Sequence, residues 1–182
     1  MALAKVVAVI YLRDLIKANG EAMADKFLKI LSSEERKMFQ TMMPITKFPI
    51  EQITRFYELA MPLLFPDKSL SEGLRQFGFQ NAQSDMKGIY RFILKFLSLE
   101  TVIKQAATIW KIYHDKGKAS VQLVTSKNVI FIVEDYPEIP KNFREVLNGY
   151  IAGLITLAGE KGINVVRNDA DPNAWKWVIN VG

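Results

Sequence analysis

The run Trp110-Lys-Ile-Tyr-His-Asp-Lys-Gly117 marks the point where the chain changes from helical to strand-like patterning. Residues 99–114 place apolar side chains at helical spacing, which predicts a helix ending within this run. Beyond it, Val121 and Leu123 alternate with polar residues, and residues 129–133 are consecutively apolar. These two patterns predict an antiparallel hairpin with one half-buried strand and one central strand.

The rest of the C-terminal third contains one more helix and one more hairpin. Residues of about 141–159 form the most apolar helical pattern of the chain and include Gly149-x-x-x-Gly153. Residues 164–167 predict a short strand, and residues 174–181 predict a final strand in which Trp175 and Trp177 share one face. Because a single helix separates the two hairpins, the order favours a four-stranded antiparallel sheet.

The first half of the chain is predicted to be helical. The predicted helices are residues of about 4–18 and 21–31, a short segment from the Ser32-Ser33-Glu34-Glu35 cap through Phe39, a helix from Pro49 to Pro66, a helix opened by Ser69 and Ser71, and residues 81–97. We therefore predict an α+β fold, in which a helical N-terminal half packs with a four-stranded antiparallel sheet and one long C-terminal helix. No repeat or linker divides the sequence, so residues 1–182 are expected to form a single domain.

Composition narrows the classes of function. The chain has no cysteine, which excludes disulfides, thiolate zinc sites, iron–sulfur clusters and cysteine nucleophiles. Its net charge of +5 is spread along the sequence rather than gathered into a basic block, so no nucleic-acid partner is expected. The apolar N-terminal run is too short to span a bilayer and lacks the order of a signal peptide. These features predict a cytoplasmic protein that is not transmembrane.

Candidate catalytic and metal-binding groups are few. His114 is the only histidine, and its position at a helix end favours a capping or surface residue over a ligand or base. Asp169-x-Asp171-x-Asn173 begins like a calcium loop but lacks the glycine and glutamate that such a loop needs, which favours a plain turn. Glu134 and Asp135 are strand neighbours that point to opposite faces, so they are poorly placed for acid–base work. We predict that the protein is not an enzyme and carries no metal or cofactor.

Two features leave alternatives open. Gly149-x-x-x-Gly153 allows another backbone to approach closely, either in the core or in a dimer, and the core contact is favoured. Most aromatic residues are expected in the core, but some could line an apolar pocket between the helices and the sheet. The candidate ligand-binding residues are Tyr90, Phe92, Phe96, Trp110, Tyr113 and Phe131.

The whole pattern resembles the superfamily that includes the 4-vinyl reductase domain, the haem-NO-binding domain and a subunit family of the TRAPP tethering complex. It resembles more closely an uncharacterised bacterial family with many paralogues in delta-proteobacteria. The residues that carry the resemblance are Trp110, Tyr113, Gly117, Gly149, Gly159 or Gly162, Trp177, Lys47-Phe48-Pro49 and Gly88-x-Tyr90-x-Phe92. The likeness spans nearly the whole chain and concerns the fold more than the function.

The departures from that superfamily limit what the resemblance implies. Many 4-vinyl-reductase-type domains carry cysteines near the final hairpin, where this chain has none, so a zinc site of that kind is not expected. Haem-NO-binding domains need an axial histidine, and His114 does not match that position. The resemblance favours a non-catalytic regulatory or sensory module that binds a small hydrophobic or lipid-like ligand. The alternatives are a homodimeric scaffold for a signalling partner and, with the least support, an enzyme of tetrapyrrole chemistry.

Overall fold

The computed structural model describes residues 2–85 and 97–182. The helices are α1 Val7–Ala18, α2 Glu21–Ile30, α3 Ser33–Thr41, α4 Ile50–Leu64, α5 Leu70–Asp85, α6 Leu99–Tyr113 and α7 Lys141–Leu157. The strands are β1 Leu3–Lys5, β2 Lys47–Pro49, β3 Lys118–Thr125, β4 Asn128–Glu134, β5 Asn164–Asn168 and β6 Ala174–Asn180. The predicted α+β class is therefore confirmed.

The large sheet has four antiparallel strands in the order β3-β4-β6-β5. The two predicted hairpins are joined through the central strands, where Phe131 lies opposite Trp177 and Val133 lies opposite Trp175. All four side chains are buried, since alternate residues of a strand point to one face. That face packs on α7, and Ile155 of this helix belongs to the same buried cluster.

A second, two-stranded sheet was not predicted from the sequence. Leu3–Lys5 pairs antiparallel with Lys47–Pro49, so the predicted helix 4–18 begins only at Val7. The same N-terminal segment reaches the end of α6, because Ala4 forms a β-bridge with His114. The Leu3 N–H also donates a hydrogen bond to Asp115 Oδ1 at 2.8 Å. The apolar composition of the first residues is typical of either a buried helix or a buried strand, and only the pairing distinguishes them.

Helices α5 and α7 pack with their backbones in direct contact. A Cβ atom built on Gly149 would lie 1.9 Å from the backbone oxygen of Arg75, and one on Gly78 would lie 2.0 Å from the backbone oxygen of Val146. Only glycine permits such an approach. The prediction that the Gly149-x-x-x-Gly153 motif makes a core contact is confirmed, because α5 occupies the space beside Gly149.

The helix boundaries in the middle of the chain differ from those predicted. The helix opened by Ser69 and Ser71 and the helix over 81–97 were predicted as separate, but α5 is continuous from Leu70 to Asp85. Residues 86–96 of the second predicted helix lie outside the described residues. The cap before α3 is confirmed, since Ser32 and Glu35 form a reciprocal capping box.

A chain of ion pairs joins α5, α7 and the hairpin of β5 and β6. The carboxylate of Glu145 on α7 forms two ion pairs. Its Oε2 lies 2.8 Å from Arg75 Nε, and its Oε1 lies 3.0 Å from Arg167 Nη1. Arg167 and Arg144 both contact Asp169, at 2.9 and 2.8 Å. The predicted plain turn at Asp169 therefore also carries an anchoring carboxylate.

None of the helices in the described ranges has the length and apolar character that crossing a membrane requires.

Candidate functional site

The candidate site is a cavity of about 120 Å³ between the helical half and the sheet. It lies where β1, α1, α4, α5, α6, α7 and β4 meet, and most of its walls are apolar or aromatic. The lining residues are Ala4, Lys5, Val7, Ala8, Tyr57, Asn81, Asp85, Ile109, Trp110, Tyr113, His114, Phe131, Phe143, Val146, Leu147, Tyr150, Ile151 and Leu154. The cavity is therefore in the general position that the aromatic pattern predicts, between helices and sheet.

Three of the six predicted ligand-binding residues line this cavity. Trp110 and Tyr113 come from α6, and Phe131 comes from β4. The other three, Tyr90, Phe92 and Phe96, lie outside the described residues. The structure brings the first three together, and their role in binding a ligand stays a prediction.

Sequence reasoning missed the contribution of α5 and the polar residues of α7. Asn81 and Asp85 are four residues apart on α5, so they lie on one face of that helix. Tyr150 shares a face of α7 with Val146 and Leu154. The i, i+4 spacing was visible in the sequence, but nothing in it indicated that these faces meet across a cavity.

The polar end of the cavity is built from a carboxylate, a phenol and an amide. The Tyr150 hydroxyl donates a hydrogen bond to Asp85 Oδ2 at 3.0 Å. Asn81 is only 4% exposed, and its Oδ1 has no hydrogen-bond partner among the described residues. A buried amide oxygen without a partner is uncommon, because desolvating it costs free energy that no bond offsets. The polar end can therefore accept a further hydrogen bond.

The tyrosines around Asp85 are held in the neutral, protonated form. Burial raises the pKa of Tyr57 and of Tyr150, and the negative charge of Asp85 raises both further. The pKa of Tyr113 is raised by the same two causes. At neutral pH these hydroxyls are hydrogen-bond donors rather than bases.

His114 is the C-cap residue of α6, which agrees with the predicted capping role, but its side chain is half-buried and neutral instead of lying free at the surface. Its ring stacks on that of Trp110 with centroids 3.8 Å apart and planes 13° from parallel. Burial lowers the pKa of His114 to about 3. The negative charge of Asp115 raises this pKa and the positive charge of Lys47 lowers it, and both effects are smaller than that of burial. The backbone N–H of His114 does cap α6 by donating to the Trp110 carbonyl, but the side chain lines the cavity.

Trp110 is fixed by the turn that follows α6. Its indole Nε1 donates to the Lys116 carbonyl at 3.1 Å. The next residue, Gly117, has φ +82°, and a Cβ there would lie within 3.2 Å of Tyr136, Val133 and Trp110 atoms. The turn therefore requires glycine on both conformational and steric grounds. The spacing of Trp110 and Gly117 therefore allows the turn to fix the indole ring that forms one wall of the cavity.

Comparison with known proteins gives a fold class. No protein-family model matches the chain, and no curated protein matches it. Among solved structures, the Fe(II) unliganded H-NOX protein from K. algicida has a TM-score of 0.69 at 13% identity, covering 98% of this chain and 96% of that one. A mutant H-NOX domain from Shewanella oneidensis in the Fe(II)CO ligation state has a TM-score of 0.69 at 12% identity. The match covers 97% of this chain and 98% of that one. A mutant H-NOX from T. Tengcongensis has a TM-score of 0.62 at 15% identity. The match covers 98% of this chain and 97% of that one.

The chain therefore has the H-NOX fold. This agrees with the haem-NO-binding class named in the resemblance, whereas the closer likeness to a delta-proteobacterial family has no support from these comparisons. Identities of this size establish the shared fold and leave ligand and partner to be argued from the residues.

The residues that the structure describes around this cavity do not fit a haem. Its volume of about 120 Å³ is well below the ~300 Å³ at which pockets for drug-sized ligands begin. Haem propionates require cations, but the described lining offers Lys5 alone, with Nζ 5.7 Å from the Tyr113 ring centroid, and it also contains the carboxylate of Asp85. An imidazole ligates a metal through a ring nitrogen, and Nδ1 of His114 is enclosed. The described residues also contain no cluster of three His, Asp or Glu side chains that could hold a metal ion.

Proposed function

We propose that the protein is a non-catalytic sensory module that binds a small hydrophobic molecule in the cavity at the Trp110–His114 pair. The observation that carries the proposal is an apolar cavity with one polar end, formed where seven elements of the fold meet. Occupation of such a cavity would couple α6 and α7 to the N-terminal helices, which is a route from ligand to conformational change.

The volume limits the ligand to a few heavy atoms. An engineered protein cavity of about 150 Å³ binds benzene or xenon. The cavity here, at about 120 Å³, is slightly smaller. A dissolved gas or a compact ring therefore fits the space better than a long lipid chain does, which narrows the hydrophobic or lipid-like class predicted from the sequence.

The polar end selects among such molecules. An atom that donates a hydrogen bond can meet Asn81 Oδ1, which has no partner among the described residues. The rest of the ligand would contact aromatic and aliphatic walls such as Trp110, Phe131 and Ile151. Phenol-like or short alcohol-like molecules satisfy both requirements.

A binding role suits these residues better than catalysis. General acid–base work needs a group that titrates near neutral pH. His114 has its pKa lowered to about 3 by burial, and the pKa values of Tyr57 and Tyr150 are raised by burial and by Asp85. We therefore propose that no chemical step occurs here. The absence of cysteine also suits a cytoplasmic sensor in a reducing compartment.

The test is thermal stabilisation by small probes in matched variants. Phenol at ten times its dissociation constant should stabilise the wild type by about 1.4 kcal/mol, which raises Tm by about 3–6 °C for a chain of this size. Ile109→Trp should fill the cavity and abolish the shift, because Ile109 lines it. Ile112→Trp, three residues along α6 and 53% exposed, should keep the shift. An equal shift in both variants would place the binding elsewhere.

A homodimeric scaffold is the second candidate, and the exposed residues of the edge strand favour it. Leu123 and Val124 lie on β3, at one edge of the large sheet, with about half of each side chain exposed. An edge with apolar side chains can pair with a second copy. Sedimentation of the wild type and of Leu123→Lys tests this candidate. A dimer that the substitution separates would support it, and a wild-type monomer would remove it.

A further inference from the structure

A second cavity lies in the helical half of the protein, away from the candidate sensory site. Its volume is about 210 Å³, and it lies between α1, α2 and the end of α3 and opens to the surface. Ile16, Phe27, Leu28 and Phe39 form apolar walls, and the two phenylalanines are almost fully buried. The space is larger than the first cavity and shares no lining residue with it.

Arg13 stands at the edge of this cavity with only part of its guanidinium engaged. Its Nη1 donates to the carbonyls of Phe39, Gln40 and Met42 at 3.5, 3.2 and 3.3 Å, and so satisfies the end of α3. Its Nε is buried and has no acceptor among the described residues. A buried donor on a charged group normally has a partner, so the unused Nε edge indicates a missing acceptor.

The charge around the cavity has one sign. Arg13 and Lys17 are one helical turn apart on α1 and both line the cavity, whereas its described lining contains no carboxylate. Two cations beside an apolar volume attract an anion that carries an apolar body. A carboxylate matches the edge of a guanidinium best, since its two oxygens can accept from two parallel N–H groups.

We propose that this second cavity binds a small organic carboxylate, with its apolar body against the wall that the adjacent rings of Phe27 and Phe39 form and its carboxylate on Arg13 and Lys17. The proposal rests on the helical half alone and is independent of the sensory function. Benzoate is a suitable probe. An engineered cavity of about 150 Å³ in another protein binds benzene. The second cavity here is larger than that, so it has room for the additional carboxylate.

The test is calorimetric titration of the whole protein with benzoate and, separately, with benzyl alcohol. We expect millimolar or tighter binding of benzoate, and binding of benzyl alcohol that is about tenfold weaker or more, because the alcohol lacks the charge. Lys17→Gln should weaken benzoate binding several-fold. Lys29→Gln, which changes an exposed lysine of α2 that does not line the cavity, should leave binding unchanged.

Two more variants locate the binding. Arg13→Gln should abolish benzoate binding, and because this residue also caps α3, its fold is checked by circular dichroism. Ala24→Phe, which fills the cavity without touching a charge, should abolish binding as well. Ile109→Trp, in the other cavity, should have no effect. The proposal is overturned if the wild type does not bind benzoate at millimolar concentration, if benzyl alcohol binds equally well, or if Ile109→Trp rather than Ala24→Phe removes binding.

Discussion

His114 shows how far the surroundings of one residue can depart from what its position in the sequence indicates. The end of a helix favours a protonated, exposed imidazole. Here the chain turns after α6 so that residue 114 bridges to Ala4 of β1, and the ring is enclosed against Trp110. The sequence could not show this, because the bridge joins residues more than one hundred positions apart.

The neutral His114 makes a prediction about acid stability. Its pKa is lowered to about 3 in the folded protein, whereas that of an unfolded histidine is about 6.5. Between these values the unfolded chain binds a proton that the folded protein does not, so the free energy of unfolding falls as the pH falls. The slope approaches about 1.4 kcal/mol per pH unit well below pH 6.5, and the contribution is absent above that value.

Urea unfolding at pH 7.5, 6.5, 5.5 and 4.5 measures this effect in the wild type and in His114→Phe. Because carboxylates titrate equally in both proteins, the difference between them isolates the histidine. We expect the wild type to lose roughly 2–3 kcal/mol more than the variant between pH 6.5 and pH 4.5. Parallel curves for the two proteins would mean that His114 is protonated, and therefore solvated, in the folded state.

Among the elements, the contact of α5 with α7 depends on glycine. The sequence indicated a close approach at Gly149 but did not identify the partner, since a glycine pair in one helix says nothing of where the facing helix lies. The structure supplies Gly78 on α5 as the reciprocal position. The two glycines hold Asn81 and Tyr150 at the distance that shapes the polar end of the cavity.

Adding one methyl group to this contact should be costly. Gly149→Ala and Gly78→Ala each place a Cβ within about 2 Å of a backbone oxygen, and we expect each to lower the free energy of unfolding by at least about 3 kcal/mol. Gly73→Ala on the same helix is the matched control. Its Cβ would meet the Met61 side chain at 3.3 Å, and alanine is the better helix former by up to about 1 kcal/mol. If urea unfolding gives the three variants equal stability, the close packing is wrong.

The ion pairs of Glu145 make a second prediction about element packing. Glu145 is only 5% exposed and joins α5 to β5 through Arg75 and Arg167. Glu145→Gln should cost about 2–3 kcal/mol, because a buried partner is removed while Arg167 keeps Asp169. Glu100→Gln, which breaks an exposed pair with Lys104, should cost less than about 0.5 kcal/mol. Equal costs in thermal unfolding would show that Glu145 is solvated.

Other elements were predictable where the pattern is local. The alternation around Phe131 and Trp177 fixes which face of each strand is buried, and the Ser32–Glu35 cap marks the start of α3. The strands β1 and β2 were not predictable, because each has three residues, too few for a period to appear. Pairing across the chain, rather than propensity, determines them.

For the whole molecule, the sequence predicted the α+β architecture and the sheet but only three of the residues that line the candidate site. Trp110, Tyr113 and Phe131 were found because aromatic residues near a helix–sheet boundary commonly line pockets. Asn81 was missed because its importance depends on burial, and Asp85 because its bond to Tyr150 arises only when α5 packs on α7. The second cavity, with Arg13, was missed for the same reason.

We propose that the cavity at Trp110 and His114 binds a small hydrophobic molecule rather than a haem. Native mass spectrometry of the purified wild type, Ile109→Trp and Ile112→Trp, followed by denaturing extraction and an absorbance spectrum, tests it most directly. We expect a small added mass, without haem absorbance, in the wild type and in Ile112→Trp, and we expect Ile109→Trp to lack it. A haem-sized mass with its absorbance, or an added mass that Ile109→Trp leaves unchanged, would contradict it.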